Sequence, residues 1–201
     1  MIKICGIRDA ITASAAVAAG ATALGLVFAD SPRRVTARQA AEIVAQLPDD
    51  IERIGVFRRA DLDAVPAILE AVDLDALQVH RAEDLPSVLH GREVIPGVRV
   101  EFVSELRHCR VLVDSPFGEG SGVPWNFEDA RRYASGKRII LAGGLTPENV
   151  GEAIGHTRPY GVDVSSGVES TRGVKDIGLI KAFIQAAREA LDKVNRIGAA
   201  K

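Results

Sequence analysis

The sequence predicts an α/β protein folded as a closed (βα)₈ TIM barrel, and three observations lead there. Eight short apolar runs rich in Val, Ile and Leu recur along the chain. Each is followed by a longer amphipathic stretch, and no Pro- or Ser-rich linker interrupts the series. The runs show little polar alternation, as strands buried on both faces of a parallel sheet must. An open doubly wound sheet competes, but it has fewer such units, and no Gly-x-Gly-x-x-Gly follows the first run.

The elements follow in order. The first strand covers residues 2–4; an Ala-rich helix over 8–19 then stops at Gly20, a residue suited to a helix C-cap. Strand two covers 23–28, and its helix opens at Thr36, whose hydroxyl can cap, and runs to Pro48. Strands three and four, 51–56 and 76–79, are followed by helices over 61–71 and 83–89. Strand five is 93–96, and only 103–108 is left for a shortened fifth helix. Strand six, 111–113, leads to a helix over 127–133; strand seven, 139–141, leads to one over 147–154, with Thr146 as N-cap and Pro147 in the first position. Strand eight, 161–164, and a helix over 176–194 complete a single domain spanning residues 1–201.

Composition narrows the function. A formal charge of −2 gives no basic footprint for nucleic acid and no polybasic membrane patch. At 4% aromatic residues, base-stacking platforms are poorly supplied. Cys5 and Cys109 lie too far apart for a metal-ligand spacing, and free thiols suit a reducing compartment. The opening MIKICGIRDA lacks the apolar run of a signal peptide, and no stretch approaches about 18 apolar residues. A soluble protein of the reducing cytoplasm is expected.

Barrel chemistry sits where strands end and the following loops begin. That rule selects Cys5 after strand one, the loop ADSPRR after strand two, His80, Asp114, Gly143-Gly144, and Asp163 with Ser165-Ser166-Gly167. Glycines let backbone N–H groups approach a phosphate, and adjacent strands seven and eight both carry such a loop. The same glycines also serve simple tight turns. Strands one and six are separated by strands seven and eight, so Cys5 and Asp114 face each other across the mouth. A sugar phosphate held between them meets one acid and one base. Cys5 also reads as a small core residue and Asp114 as a loop cap. Arg34 or Arg33 can clamp a carboxylate, with Arg33 reading more simply as a solvated side chain. His80 reads as a polar wall or a satisfied, partly buried histidine. His90, His108, His156 and Cys109 are assigned nothing.

These residues fall into motifs that resemble the phosphoribosylanthranilate isomerase family of tryptophan biosynthesis. The motifs are Lys3-Ile4-Cys5-Gly6-Ile7, Ser31-x-Arg33-Arg34-Val35, Gln78-Val79-His80, Val113-Asp114 with Gly120-Ser121-Gly122, Gly143-Gly144-Leu145-x-Pro147-Glu148-Asn149, and Asp163-Val164-Ser165-Ser166-Gly167-Val168-Glu169. They run in order through nearly the whole chain. The resemblance implies an Amadori rearrangement of N-(5'-phosphoribosyl)anthranilate, an aminoaldose phosphate, to a 1-deoxyribulose 5-phosphate ketose, the third step from chorismate. It implies Asp114 as general acid and Cys5 as general base. It further implies Arg34 on the anthranilate carboxylate, Gly144, Ser166 and Gly167 on the phosphate, and His80 and Asp163 in substrate binding. A small-molecule phosphosugar substrate is implied, with no metal or organic cofactor, in a monomer or homodimer.

As a base, Cys5 requires a thiolate-favouring setting, to which Lys3 contributes if both point the same way. Asp114 must instead hold a proton. The chain departs from the family pattern at Arg81, at Pro96-Gly97, at Val123 and at Asn126-Phe127. The related histidine-pathway isomerases carry aspartate where Cys5 stands. A neighbouring decarboxylating cyclase needs a strand-end lysine that is missing, and a non-catalytic phosphosugar-binding barrel needs only the two glycine loops.

Overall fold

In the computed structural model, which describes residues 1–80, 84–114 and 137–199 (side chains through 196), each of the eight apolar runs is extended. β1 (Ile2–Cys5), β2 (Ala23–Val27), β3 (Glu52–Arg58) and β4 (Ala76–His80) lie side by side, and a two-residue strand, β5 (Val88–Leu89), precedes β6 (Arg92–Arg99). β7 (Arg110–Asp114), β8 (Arg138–Leu141) and β9 (Gly161–Val164) complete the set. All neighbours except β5 pair in parallel; β4 pairs with β6, and β1 pairs with both β2 and β9. The sheet therefore closes on itself as a (βα)₈ barrel.

Register fixes which residues face the axis. Cys5 pairs with Gly25, Gly25 with Ile54, Ile54 with Ala76, and Lys3 with Asp163. Since side chains alternate along a strand, every second residue counted from these faces inward. Ala23, Ile54, Ala76, Ile95, Leu112 and Ile140 form an apolar layer inside the barrel. Below it Arg110 plugs the N-terminal end, bonded to Glu93 and Glu52. Burial works to lower the Arg110 pKa, but the two carboxylates outweigh it and the net shift is upward. The outward residues, such as Ile4, Leu24, Leu77, Val111 and Val162, form the main core against the surrounding helices.

Helix α1 (Ala10–Ala19) is capped by the Asp9 carboxylate, which accepts from the Thr12 N–H at 2.8 Å, and it ends at Gly20 in the left-handed region. α2 (Ala37–Val44) has the predicted Thr36 cap, closed into a capping box with Gln39. The third helix is divided: a 3-10 segment over Arg59–Ala64 leads into α3 (Val65–Ala71). Pro66 has no N–H to give and sits in the first turn of α3, so the α-ladder starts only there.

The helix expected over 83–89 is a misreading for residues 84–89. Here Val88–Leu89 forms β5, antiparallel to β6. Pro86 disfavours a helical Leu85, and His90 and Gly91 both take positive φ, which turns the chain into a hairpin. The fifth helix is reduced to a 3-10 segment over Val100–Glu105, while β6 runs on past Pro96.

The helix after β8 starts later than expected: α4 (Val150–Thr157) follows a turn that holds Thr146 and Pro147. Finally α5 (Ile177–Ala199) opens at Asp176, which accepts from the Leu179 N–H, and packs against α4 and α1. The expected helix over 127–133, the Gly120-Ser121-Gly122 loop, Arg81, Val123 and Asn126-Phe127 lie outside the described residues.

Candidate active site

Parity along the strands brings the polar inner residues to the C-terminal mouth. Cys5, Arg58, His80, Asp114 and Asp163 all line one cavity, together with Gly143, Gly144, Ser165 and Ser166. Cys5 on β1 and Asp114 on β7 stand on opposite arcs, separated by β9 and β8. Gly167 lies just behind the lining. A Cβ there would sit 1.9 Å from the Leu145 carbonyl oxygen, so this glycine lets the loops after β8 and β9 pack against each other.

The loop after β8 is shaped by two consecutive left-handed glycines, Gly143 (φ 85) and Gly144 (φ 66). Asn149 fastens it: its side chain accepts from the Thr146 N–H and donates to the Gly144 carbonyl, both at 2.8 Å. Gly144 and Ser166, on facing loops, thus converge on one end of the cavity, where backbone donors suit an anion.

The loop after β9 continues into a hairpin of β10 (Glu169–Thr171) and β11 (Val174–Lys175). The Glu169 carboxylate accepts from Arg33 Nε at 2.7 Å and from a terminal nitrogen of Arg33 at 2.9 Å. It also accepts from the Gly173 N–H and from Lys175 Nζ, each at 2.9 Å. Burial works to raise the Glu169 pKa, but Arg33, Gly173 and Lys175 overcome it and hold the carboxyl at about 2. Lys175 also donates to the Ser165 carbonyl, and the Ser165 hydroxyl donates to the Cys5 carbonyl. Arg33 is therefore half-buried and ion-paired at the cavity wall, not solvated as the sequence suggested. Arg34 is exposed and outside the lining.

Beneath Cys5 lies Lys3, two residues earlier and on the same face. Its Nζ is fully buried and donates to Gln78 Oε1 at 2.8 Å and Asp163 Oδ1 at 2.9 Å. Gln78 Nε2 in turn is 3.0 Å from His80 Nε2. His80 is partly exposed, and its ring packs over Gly97, where a Cβ would lie 2.8 Å from Nδ1; this accounts for glycine at that end of β6. Burial pushes the Cys5 thiol pKa up, against the pull of Lys3 and Lys175. The setting leans toward the thiol and away from the thiolate the sequence reading called for.

Sequence reasoning missed Arg58, because strand three was ended at residue 56; continuing the inner alternation Ile54, Val56 reaches it. The bracing roles of Glu169, Lys175 and Asn149 were also missed, although Glu169 and Asn149 fall in quoted glycine-loop motifs.

The comparisons with known proteins decide the family. The model of the family described as N-(5'phosphoribosyl)anthranilate (PRA) isomerase matches residues 2–186. The chain belongs to this family. The isomerase from Geotalea uraniireducens (strain Rf4) is 45% identical over 199 residues, covering 93% of this chain and 98% of that one. The structure of phosphoribosyl anthranilate isomerase from Thermus thermophilus superposes with a TM-score of 0.82 at 32% identity, covering 94% and 98% of the two chains. A phosphoribosyl anthranilate isomerase solved in complex with reduced 1-(o-carboxyphenylamino)-1-deoxyribulose 5-phosphate gives 0.79 at 31%, with the same coverage. The phosphoribosylanthranilate isomerase reaction, a step of tryptophan biosynthesis, is thus the activity the barrel serves.

Proposed function

We propose that the rearrangement runs across the cavity between Asp114 and Cys5, within a single catalytic domain spanning residues 1–201. The observation that carries this reading is that the two side chains line the same cavity from opposite arcs of the barrel, with the glycine loops of β8 and β9 between them. Gly144, Ser166 and Gly167 hold the 5'-phosphate through backbone N–H groups. The ribose then lies across the axis, and Asp114 and Cys5 reach its two sides.

Asp114, protonated, delivers its proton to the ribose ring oxygen. The C1'–O bond breaks as the anthranilate nitrogen lone pair forms an iminium. Cys5, as thiolate, removes the C2' proton; the C–H electron pair becomes the C1'=C2' bond and the iminium electrons return to nitrogen. The resulting enolamine tautomerises to the ketose. The iminium makes the C2' proton acidic in the same step that it places positive charge near sulfur, which offsets the burial that raises the thiol pKa.

Arg34 takes the anthranilate carboxylate. Arg33 is committed to Glu169, whereas among the described residues nothing pairs with the Arg34 guanidinium. His80 and Asp163 bound the sugar. The ligand is a phosphosugar carrying an aromatic carboxylate, like that held by the solved relative; no metal or organic cofactor takes part. The protein works in the cytoplasm as a monomer or homodimer, the isomerase from Thermotoga maritima being described as dimeric.

The test is a fluorescence assay following the disappearance of freshly made phosphoribosylanthranilate. Cys5→Ala and Asp114→Asn each lower turnover by about 10²–10⁴-fold at roughly preserved affinity, while Arg34→Ala raises KM. Near-wild-type turnover in either of the first two removes that residue from its role.

A further inference from the structure

Lys3 does no chemistry in the reaction as assigned, yet it is fully buried inside the barrel. Burying an ammonium carries a desolvation penalty of several kcal/mol even when it is paired, and an apolar pair of similar volume commonly serves stability as well or better. Stability alone therefore does not explain a lysine here. Its charge faces Asp163 in direct cross-strand register, at 2.9 Å, and a second N–H goes to Gln78.

Cys5 lies two residues along from this group. Lys3 and Cys5 share the inner face of β1, and the neighbouring strand offers Gly25 at their level. An atom at the missing Gly25 Cβ would lie 2.8 Å from Cys5 Sγ and 3.1 Å from Lys3 Nζ. Glycine thus opens the space in which ammonium and sulfur meet. Among the described residues, the titratable groups facing Cys5 are Lys3 on its own strand, Asp163 from β9, Lys175 from β11 and Arg33 from the loop after β2, with Arg58, His80 and Asp114 around the cavity. Arg33 and Lys175 are both bonded to Glu169. Lys3 is the cation packed directly beneath the sulfur.

We propose that Lys3 is a positioning residue for Cys5, its buried ammonium acting as the fixed counter-ion of the sulfur that accepts the C2' proton. This rests on Cys5 being the general base. Lys3 keeps its three protons throughout: Cys5 enters as thiolate, leaves the step as thiol, and no proton passes through the lysine. Burial works to lower the Lys3 pKa, but Asp163 and Cys5 outweigh it and the net shift is upward, which favours the ammonium. Asp163 tunes the pair, since part of the lysine charge is spent on its carboxylate.

The experiment titrates the Cys5 thiol by its ultraviolet thiolate absorbance in a Cys109→Ser background, Cys109 being the exposed second cysteine. Lys3→Met should raise the midpoint by about one unit or more. Turnover near neutral pH should fall about tenfold and recover as pH is raised through the new midpoint. Asp163→Asn should move the midpoint the other way, downward. If Lys3→Met does not fold, Lys3→Gln takes its place, because Asp163 also acts on Cys5 directly and its variant does not isolate Lys3. An unchanged midpoint, or shifts of the same sign in both variants, overturns the role of Lys3. Midpoints that move as expected while the pH profile of turnover ignores them overturn the assignment of Cys5 as base, and the proposal with it.

Discussion

Replacing Glu169 by Gln tests whether the β10–β11 hairpin is fastened to the barrel mouth by charge. The side chain is 4% exposed and bonded to Arg33, Lys175 and the Gly173 N–H. A carboxyl that ordinarily titrates at 4.5, held at about 2, stabilises the fold by on the order of 3 kcal/mol at neutral pH. Solvent at the mouth, where Arg33 is 15% exposed, screens this to about 1–2 kcal/mol. The amide also leaves Lys175 without a counter-charge, which brings the expected loss at pH 7 to about 1–3 kcal/mol. Because the folded value is depressed, the stabilisation is complete above the unfolded value near 4.5 and is lost as pH falls toward and through about 2. Urea denaturation of both proteins from pH 7 down to about 3.5 reads this out. The gap between them should narrow progressively below about pH 4.5. A gap under about 0.5 kcal/mol at pH 7, or one that stays constant with pH, refutes the electrostatic account.

Two further perturbations address the phosphate end. Gly167→Ala places a methyl 1.9 Å from the Leu145 carbonyl oxygen; the two loops must separate, costing about 1–3 kcal/mol and raising KM at least several-fold, while an unaltered KM would mean that loop contact has no bearing on the substrate. Asn149→Ala frees the Thr146 N–H and the Gly144 carbonyl, a loss of about 1–2 kcal/mol measured as a lower Tm, accompanied by weaker binding of inorganic phosphate as a competitive inhibitor. Unchanged phosphate inhibition would show that the loop keeps its shape without this brace.

The barrel strands were legible because a strand covered on both sides has few positions at which a polar residue is tolerated, and runs such as Arg110–Asp114 advertise their apolar interior. What the pattern hides is the inside of the barrel, where Lys3 and Gln78 sit within otherwise apolar runs and are satisfied by partners 160 and 75 positions away in the chain. No local signal announces those partners. Helices were less legible where one residue overrode periodicity: Pro86 and the His90-Gly91 turn convert an apparent helix into β5, and Pro66 splits the third helix. The candidate site was readable as strand ends, but Arg58 required knowing that β3 extends to residue 58. That Arg33 is held at the cavity wall required seeing Glu169 capture it.

The pairing of Lys3 with Asp163 also bears on biogenesis. The first barrel strand in chain order carries the proposed base, but its neighbour β9 is the last in chain order, 160 positions later. Until that strand inserts, the ammonium beside Cys5 has no carboxylate and the seam between β1 and β9 is an open edge. The slow, long-range closure of the ring is therefore also the moment at which the thiol acquires its surroundings. On the role proposed for Cys5, a partly assembled barrel is expected to be chemically idle, and turnover regained on refolding should rise with the pairing of β1 to β9.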